Sequence, residues 1–155
     1  MSMHRVEITW ARNGADFAAN RYSRAHCWRF DGGATVLASS SPAVVPVPLS
    51  DPSAVDPEEA FVAALASCHM LWFLALAAEA GWSVDEYRDA ADGSLGRVDG
   101  VTRMTGVTLR PEACFAGERR PDQAEQLALH EAAHRSCYLA SSVNFPVKCA
   151  PLFQL

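Results

Sequence analysis

Residues 56–81 read DPEEAFVAALASCHMLWFLALAAEAG, and the fold turns on how this stretch is understood. Asp56 suits a helix cap, Pro57 the first helical position, and Glu59 the place from which a capping-box acid reaches back to the cap amide. Glu58 and Glu59 also favour the positive end of a helix dipole. Gly81 supplies a stop after an unbroken run of good helix formers. At ~1.5 Å per residue, Pro57 to Ala80 predicts a rod of about 36 Å. Between Ala60 and Ala78 only Ser67, Cys68 and His69 interrupt the apolar run. A helix apolar all round is either a membrane span or the central helix of a core. The run is long enough to span. Alanine makes up much of it, however, His69 sits at its centre, acids close both ends, and no Lys or Arg flank orients an insertion. The expectation is a core helix, with no membrane partner.

The 155 residues are half hydrophobic, enough to bury one good core, so residues 1–155 are expected to form a single domain. A formal charge of −5 with scattered basic residues argues against nucleic acid as a partner. The start, MSMHRVEITW, runs directly into strand-like alternation rather than a signal peptide. Five cysteines form an odd set without the spacing of a disulfide scaffold. Both features point to a reducing cytoplasm, where a cysteine is free, catalytic or redox-active.

Outward from the central stretch, Val6, Ile8 and Trp10 alternate with polar neighbours as a half-buried strand. Residues 12–20 read as a loop. Tyr22 to Asp31 and Ala34 to Ser39 predict two more strands joined at Asp31-Gly32-Gly33. Four prolines between Ser39 and Ser53 predict an extended connection into the helix. Beyond Gly81, Trp82 to Leu95 and Val101 to Phe115 predict two long strands hinged at Val98-Asp99-Gly100. Pro121 and Asp122 open a second helix with apolar Ala124, Leu127, Ala128, Ala132 and Leu139. A last short strand is expected around Val147. The element order predicts an α+β domain in which sheet covers an apolar helix.

Two constellations carry candidate chemistry. HEAAH, His130 to His134, places two imidazoles one turn apart around Glu131, the arrangement of many zinc metalloproteases. No His, Asp or Glu follows His134, so the usual C-terminal ligand is missing; Cys137 could complete a His130, His134, Cys137 face for a zinc hydrolase, and otherwise the match is accidental. The second constellation is Cys68 and Cys137, each in helical sequence after small residues. A free thiol ionises near pH 8.5, and apolar burial raises that value. A reactive buried cysteine therefore needs a cation brought to it, and a depression of about three units requires ~4 kcal/mol. A desolvated Arg with its own carboxylate partner can supply that. Otherwise both are small core residues.

DPEEAFVAALASCHM resembles the signature of the OsmC/Ohr family, and AHRSC, Ala133 to Cys137, resembles that family's second signature, Ala-His-x-x-Cys. The element order is similar over nearly the whole chain. The resemblance accounts for His134 without zinc and implies an OsmC-like fold: antiparallel sheets packed around a long buried central helix, in an intertwined homodimer. It also implies a thiol peroxidase for organic hydroperoxides. Cys68 would be the peroxidatic cysteine and Cys137 the resolving one. Glu58 matches the family's glutamate by its ten-residue lead over the cysteine. Arg24, with Arg21 as runner-up, matches its arginine, which would stabilise the thiolate and polarise the peroxide while Glu58 holds the guanidinium. The sequence departs from the Ohr pattern in a longer first hairpin carrying NRYSRAH, in His69 and in the Pro-rich connection.

By this resemblance the partners are an organic hydroperoxide and a dithiol reductant of lipoyl type, with no cofactor or metal. Trp72, Phe73, Met70 and Phe61 are candidates to line an alkyl pocket, and plain packing is the alternative for each. Cys27, Cys114 and Cys149 read as structural or incidental. A non-catalytic OsmC-like binding or stress protein is the alternative function, because fold does not fix activity. Helix geometry adds an expectation about assembly. Glu58 and Cys68 lie ~15 Å apart along one axis, beyond the reach of a Glu side chain. Antiparallel packing of two central helices in a homodimer would bring Glu58 of one chain towards Cys68 of the other. It would also cover apolar surface that one small sheet leaves bare.

Overall fold

A computed structural model describes residues 2–153. The chain forms two compact units, Met1–Ala60 and Phe61–Leu155. In the first, β1 (Val6–Thr9), β2 (His26–Phe30) and β3 (Thr35–Ala38) make an antiparallel sheet in that order. Cys27 stands opposite both Thr9 and Leu37. The β2–β3 turn closes with Phe30 and Ala34 hydrogen-bonded at 2.9 Å, and Gly33 takes φ of 90°, where a side chain would be strained. The predicted second strand begins late, at His26. Upstream, the Arg24 amide donates at 2.8 Å to the Leu49 carbonyl, so the chain there is tied to the Pro-rich connection instead of the sheet. That connection is anchored at fully buried Ser39. Its amide donates to the Val55 carbonyl at 3.0 Å, and its hydroxyl accepts from the Asp51 amide at 3.0 Å.

Helix α1 (Pro57–Glu79) carries the capping box expected of Asp56 and Glu59. The Glu59 amide donates to Asp56 Oδ1 at 2.7 Å, and the Asp56 amide donates to Glu59 Oε2 at 3.1 Å. At the other end the Trp82 amide donates to the Ala77 carbonyl at 2.9 Å, with Gly81 at φ of 81°. This αL closure is the one glycine favours.

In the second unit the two long predicted strands each break in the middle. The first becomes β4 (Val84–Asp89) and β5 (Asp92–Val98), the second β6 (Val101–Leu109) and β7 (Pro111–Phe115). The hairpin folds on itself, β4 pairing with β7 and β5 with β6, so its halves enter different sheets. Pro111 has no amide to donate at the break. Asp89 Oδ1 accepts from the Arg110 amide at 2.7 Å and fixes the corner. Asp99 and Gly100, both at positive φ, form the turn read from the sequence. The last strand, β8 (Val147–Cys149), adds to β6 in parallel, with Cys149 beside Leu109. Helix α2 (Gln123–Ser136) opens on Asp122 with a second capping box to Glu125.

One stripe of α1 is buried: Leu65, His69, Phe73 and Ala77, four residues apart. Leu65 packs with Val107 and Leu109 of β6; Phe73 and Ala77 pack with Ala113 and Phe115 of β7 and with Leu129 and Ala133 of α2. His69 lies between these two clusters in sequence. The rest of the helix is less covered, Leu71 being 61% exposed. Although α1 is long and apolar enough to cross a membrane by length and composition, its inner stripe is occupied by strands and α2. An all-apolar sequence holds no information about which stripe turns inward. Tertiary packing made that choice.

Candidate functional site

Helices α1 and α2 bring Cys68 and Cys137 together. Cys137 caps the C-terminus of α2, its amide donating to the His134 carbonyl at 3.3 Å, and it is fully buried. Its sulfur accepts from the Ala140 amide at 3.4 Å in the 3-10 turn Ala140–Ser142. Burial raises the Cys137 thiol above its ordinary ionisation range, and a hydrogen bond with the Cys68 side chain raises it further. Cys68 is half-buried on α1, and both sulfurs are free thiols. The two thiols proposed from the sequence are therefore near enough to influence one another.

Cys68 borders a cavity of about 460 Å³ walled by Ala64, Ser67, Leu71, Trp72, Ala75 and Tyr138. Tyr138 meets Trp72 edge-on, ring centroids 5.5 Å apart. Of the four pocket candidates only Trp72 is in this wall. Phe73 points the opposite way into the core with no exposed surface. Phe61 sits against Phe145 at 5.9 Å, and Met70 is absent from the lining. Leu71 and Tyr138 escaped sequence reading. The first lies one helical turn from Cys68, a signal that was available; the second follows Cys137 directly.

Arg24 and Glu58 belong to the first unit. Arg24 borders a cleft of about 580 Å³ with Trp10, Phe17, Tyr22, His26 and Pro57. Its guanidinium donates to Asn20 Oδ1 at 2.7 Å and to the Tyr22 carbonyl, and lies 3.8 Å from the Tyr22 ring centre. Among the described residues no ion pair joins it to Glu58. Amide and carbonyl oxygens hold this cation instead of the expected carboxylate. Arg21, the runner-up, is exposed.

HEAAH divides between two environments. Glu131 faces outward near Arg135, at 4.0 Å. His130 turns inward, its Nδ1 3.1 Å from His69 Nε2, with its ring stacked on Phe73 at 4.2 Å. The hydrolase ligand set of His130, His134 and Cys137 is thus corrected: Cys137 partners Cys68, and His130 meets His69 instead. Burial, and then neighbouring imidazoles, depress both His69 and His130 to about 4, so both are neutral at pH 7. Cys149 Sγ lies 3.6 Å from His69 Nε2, so this cysteine is not incidental in position. A buried His on an apolar helix implied a polar partner, but its identity lay in distant sequence.

Comparison with known proteins agrees with this fold. Among curated proteins no relative matches. Among solved structures, an OsmC-like protein of unknown function from Vibrio cholerae is 49% identical, with 98% of this chain and 100% of that chain covered and a TM-score of 0.95. An organic hydroperoxide resistance protein OsmC from Legionella pneumophila shares the fold at 16% identity, covering 100% and 98% of the two chains with a TM-score of 0.70. The organic hydroperoxide resistance protein OhrB of Bacillus subtilis does so at 18% identity, covering 99% and 98%, with a TM-score of 0.65. The family model for OsmC-like proteins matches residues 50–151, and the chain belongs to that family.

Proposed function

We propose that the protein is a cysteine-based peroxidase that reduces organic hydroperoxides at the expense of a dithiol. The observation that supports this reading is the nearness of Cys137 to Cys68, which borders an apolar cavity. The Cys68 thiolate attacks the terminal peroxide oxygen, the O–O bond breaks, and the alkoxide leaves as alcohol after taking a proton. Sulfur, now a sulfenic acid, has been oxidised by two electrons. Cys137 condenses with it, forming the disulfide and releasing water. An external dithiol restores both thiols by exchange and leaves as its own disulfide. Burial and the Cys68 contact keep Cys137 protonated at rest, which suits a sulfur that acts second. Leu71, Trp72 and Tyr138 offer apolar surface to an alkyl or aryl group.

The reading also assigns Arg24 to stabilising negative charge on sulfur and peroxide, and Glu58 to supporting that cation. Both assignments rest on the family resemblance, as does assembly into a homodimer. The deciding experiment is turnover of cumene hydroperoxide and hydrogen peroxide with a dithiol reductant. The organic peroxide should be consumed faster, and Cys68→Ser should abolish consumption of both. Wild-type turnover in that variant refutes the mechanism.

A further inference from the structure

On the other side of α1, three potential metal ligands converge from three elements. His69 of α1, His130 of α2 and Cys149 of β8 offer donor atoms that all lie within 4.8 Å of one another. Two of the three separations, both from His69, match the edges of a coordination polyhedron. Tetrahedral zinc, with bonds of about 2.05 Å to nitrogen and about 2.3 Å to sulfur, sets N···N near ~3.3 Å and N···S near ~3.6 Å. Here His69 Nε2 stands 3.1 Å from His130 Nδ1 and 3.6 Å from Cys149 Sγ. The geometry points to a zinc site with His69, His130 and Cys149 as its protein ligands.

The surroundings favour a cation. Asp89 acts electrostatically on Cys149, and its Oδ2 is buried without a hydrogen-bond partner. Binding zinc displaces the Cys149 thiol proton to solvent and leaves the thiolate bonded to the metal, with no change of oxidation state. Two nitrogens and a sulfur suit a borderline-soft ion and are the wrong donors for calcium or magnesium. His130 and Cys149 also border a cavity of about 270 Å³ shared with Glu131 and His134, from which solvent can take the fourth position. His130 is held in place by Phe73 stacked on its ring. The site would clamp α1, α2 and β8 together. It does not depend on the peroxidase reading, since neither Cys68 nor Cys137 takes part.

The test uses the full-length protein, stripped of metal by a chelator under reducing conditions. Zinc is then titrated against a chromophoric competitor, and cobalt is added separately as a spectroscopic stand-in. One zinc per chain should bind, and cobalt should show tetrahedral ligand-field bands with a thiolate charge-transfer band. Cys149→Ser, nearly isosteric, should lose the charge-transfer band. It should also weaken zinc binding at least about 100-fold, the upper end of what loss of an outer-shell partner costs. His69→Gln should do the same for affinity. At a hundredfold excess of zinc over its dissociation constant, the unfolding midpoint should rise by roughly 5–10 °C. Cys68→Ser should bind zinc as the wild type does. Affinity no tighter than roughly millimolar, far short of the range of structural zinc sites, overturns the assignment. So does zinc binding that survives in folded Cys149→Ser and disappears in Cys68→Ser.

Discussion

Leu71 and Phe73 lie two residues apart on α1 and should respond oppositely to truncation. Phe73 has no exposed surface, and its ring packs on Tyr87, Phe115 and His130 at 5.5, 6.2 and 4.2 Å. Replacing a buried Phe by Ala removes transfer energy and leaves a cavity, together costing about 3–5 kcal/mol. At this chain length each kcal/mol moves the midpoint by roughly 2–4 °C, so Phe73→Ala should melt roughly 6–20 °C lower. Leu71 is 61% exposed, and its truncation should cost no more than about 0.5 kcal/mol. It does, however, remove three carbons from the cavity wall beside Cys68. At ~0.8 kcal/mol per buried methylene, roughly halved for exposure, an aryl or alkyl substrate loses about 1 kcal/mol. The KM for cumene hydroperoxide should therefore rise about fivefold in Leu71→Ala, with hydrogen peroxide turnover unchanged. Thermal melts followed by circular dichroism and steady-state assays at saturating dithiol measure both effects. A Phe73→Ala protein that melts like the wild type but has lost affinity for the organic substrate would refute this division between core and cavity.

Two further outcomes test the thiol pair and the assembly. One equivalent of hydroperoxide should join Cys68 to Cys137 in a disulfide found by peptide mapping, whereas Cys137→Ser should accumulate sulfinic acid at Cys68; a disulfide from Cys68 to Cys27 or Cys149 contradicts the assigned roles. Sedimentation should give about twice the 16.8 kDa chain mass at micromolar concentration, and co-refolding inactive Cys68→Ser with inactive Glu58→Ala chains should recover part of the activity. A fully active monomer would end the proposal that one chain's Glu58 serves the other chain's Cys68.

What the sequence made legible depends on how far each cause reaches along the chain. The capping boxes at Asp56 and Asp122 involve groups three residues apart, so residue identity alone specifies them. The Asp99-Gly100 turn is equally local. The breaks at Asp89–Asp92 and Arg110–Pro111 were hidden because strand-like composition continues across them. Pro111 was the available sign, since a proline inside a run demotes a central strand. The inward face of α1 could not be read at all, because an apolar residue on every side gives a helix no preferred direction. Cys68 and Cys137 were set apart from the other three cysteines by their helical setting after small residues, their roles came only from resemblance to a family, and the fold brings the two thiols near one another.

The His69 cluster has no signature in the sequence. Its members are 61 and 80 residues apart, and each looks ordinary alone: a His on an apolar helix, a His in an apparently accidental motif, a Cys near the end of the chain. Burial changes their meaning. A buried neutral imidazole ordinarily finds hydrogen-bond partners, and only the folded chain reveals that those beside His69 Nε2 are a second imidazole and a thiol. That pairing would give one face of α1 a metal-binding chemistry distinct from the thiol chemistry proposed for Cys68. Adjacent residues, Cys68 and His69, can thus serve separate sites because successive helical positions project about 100° apart.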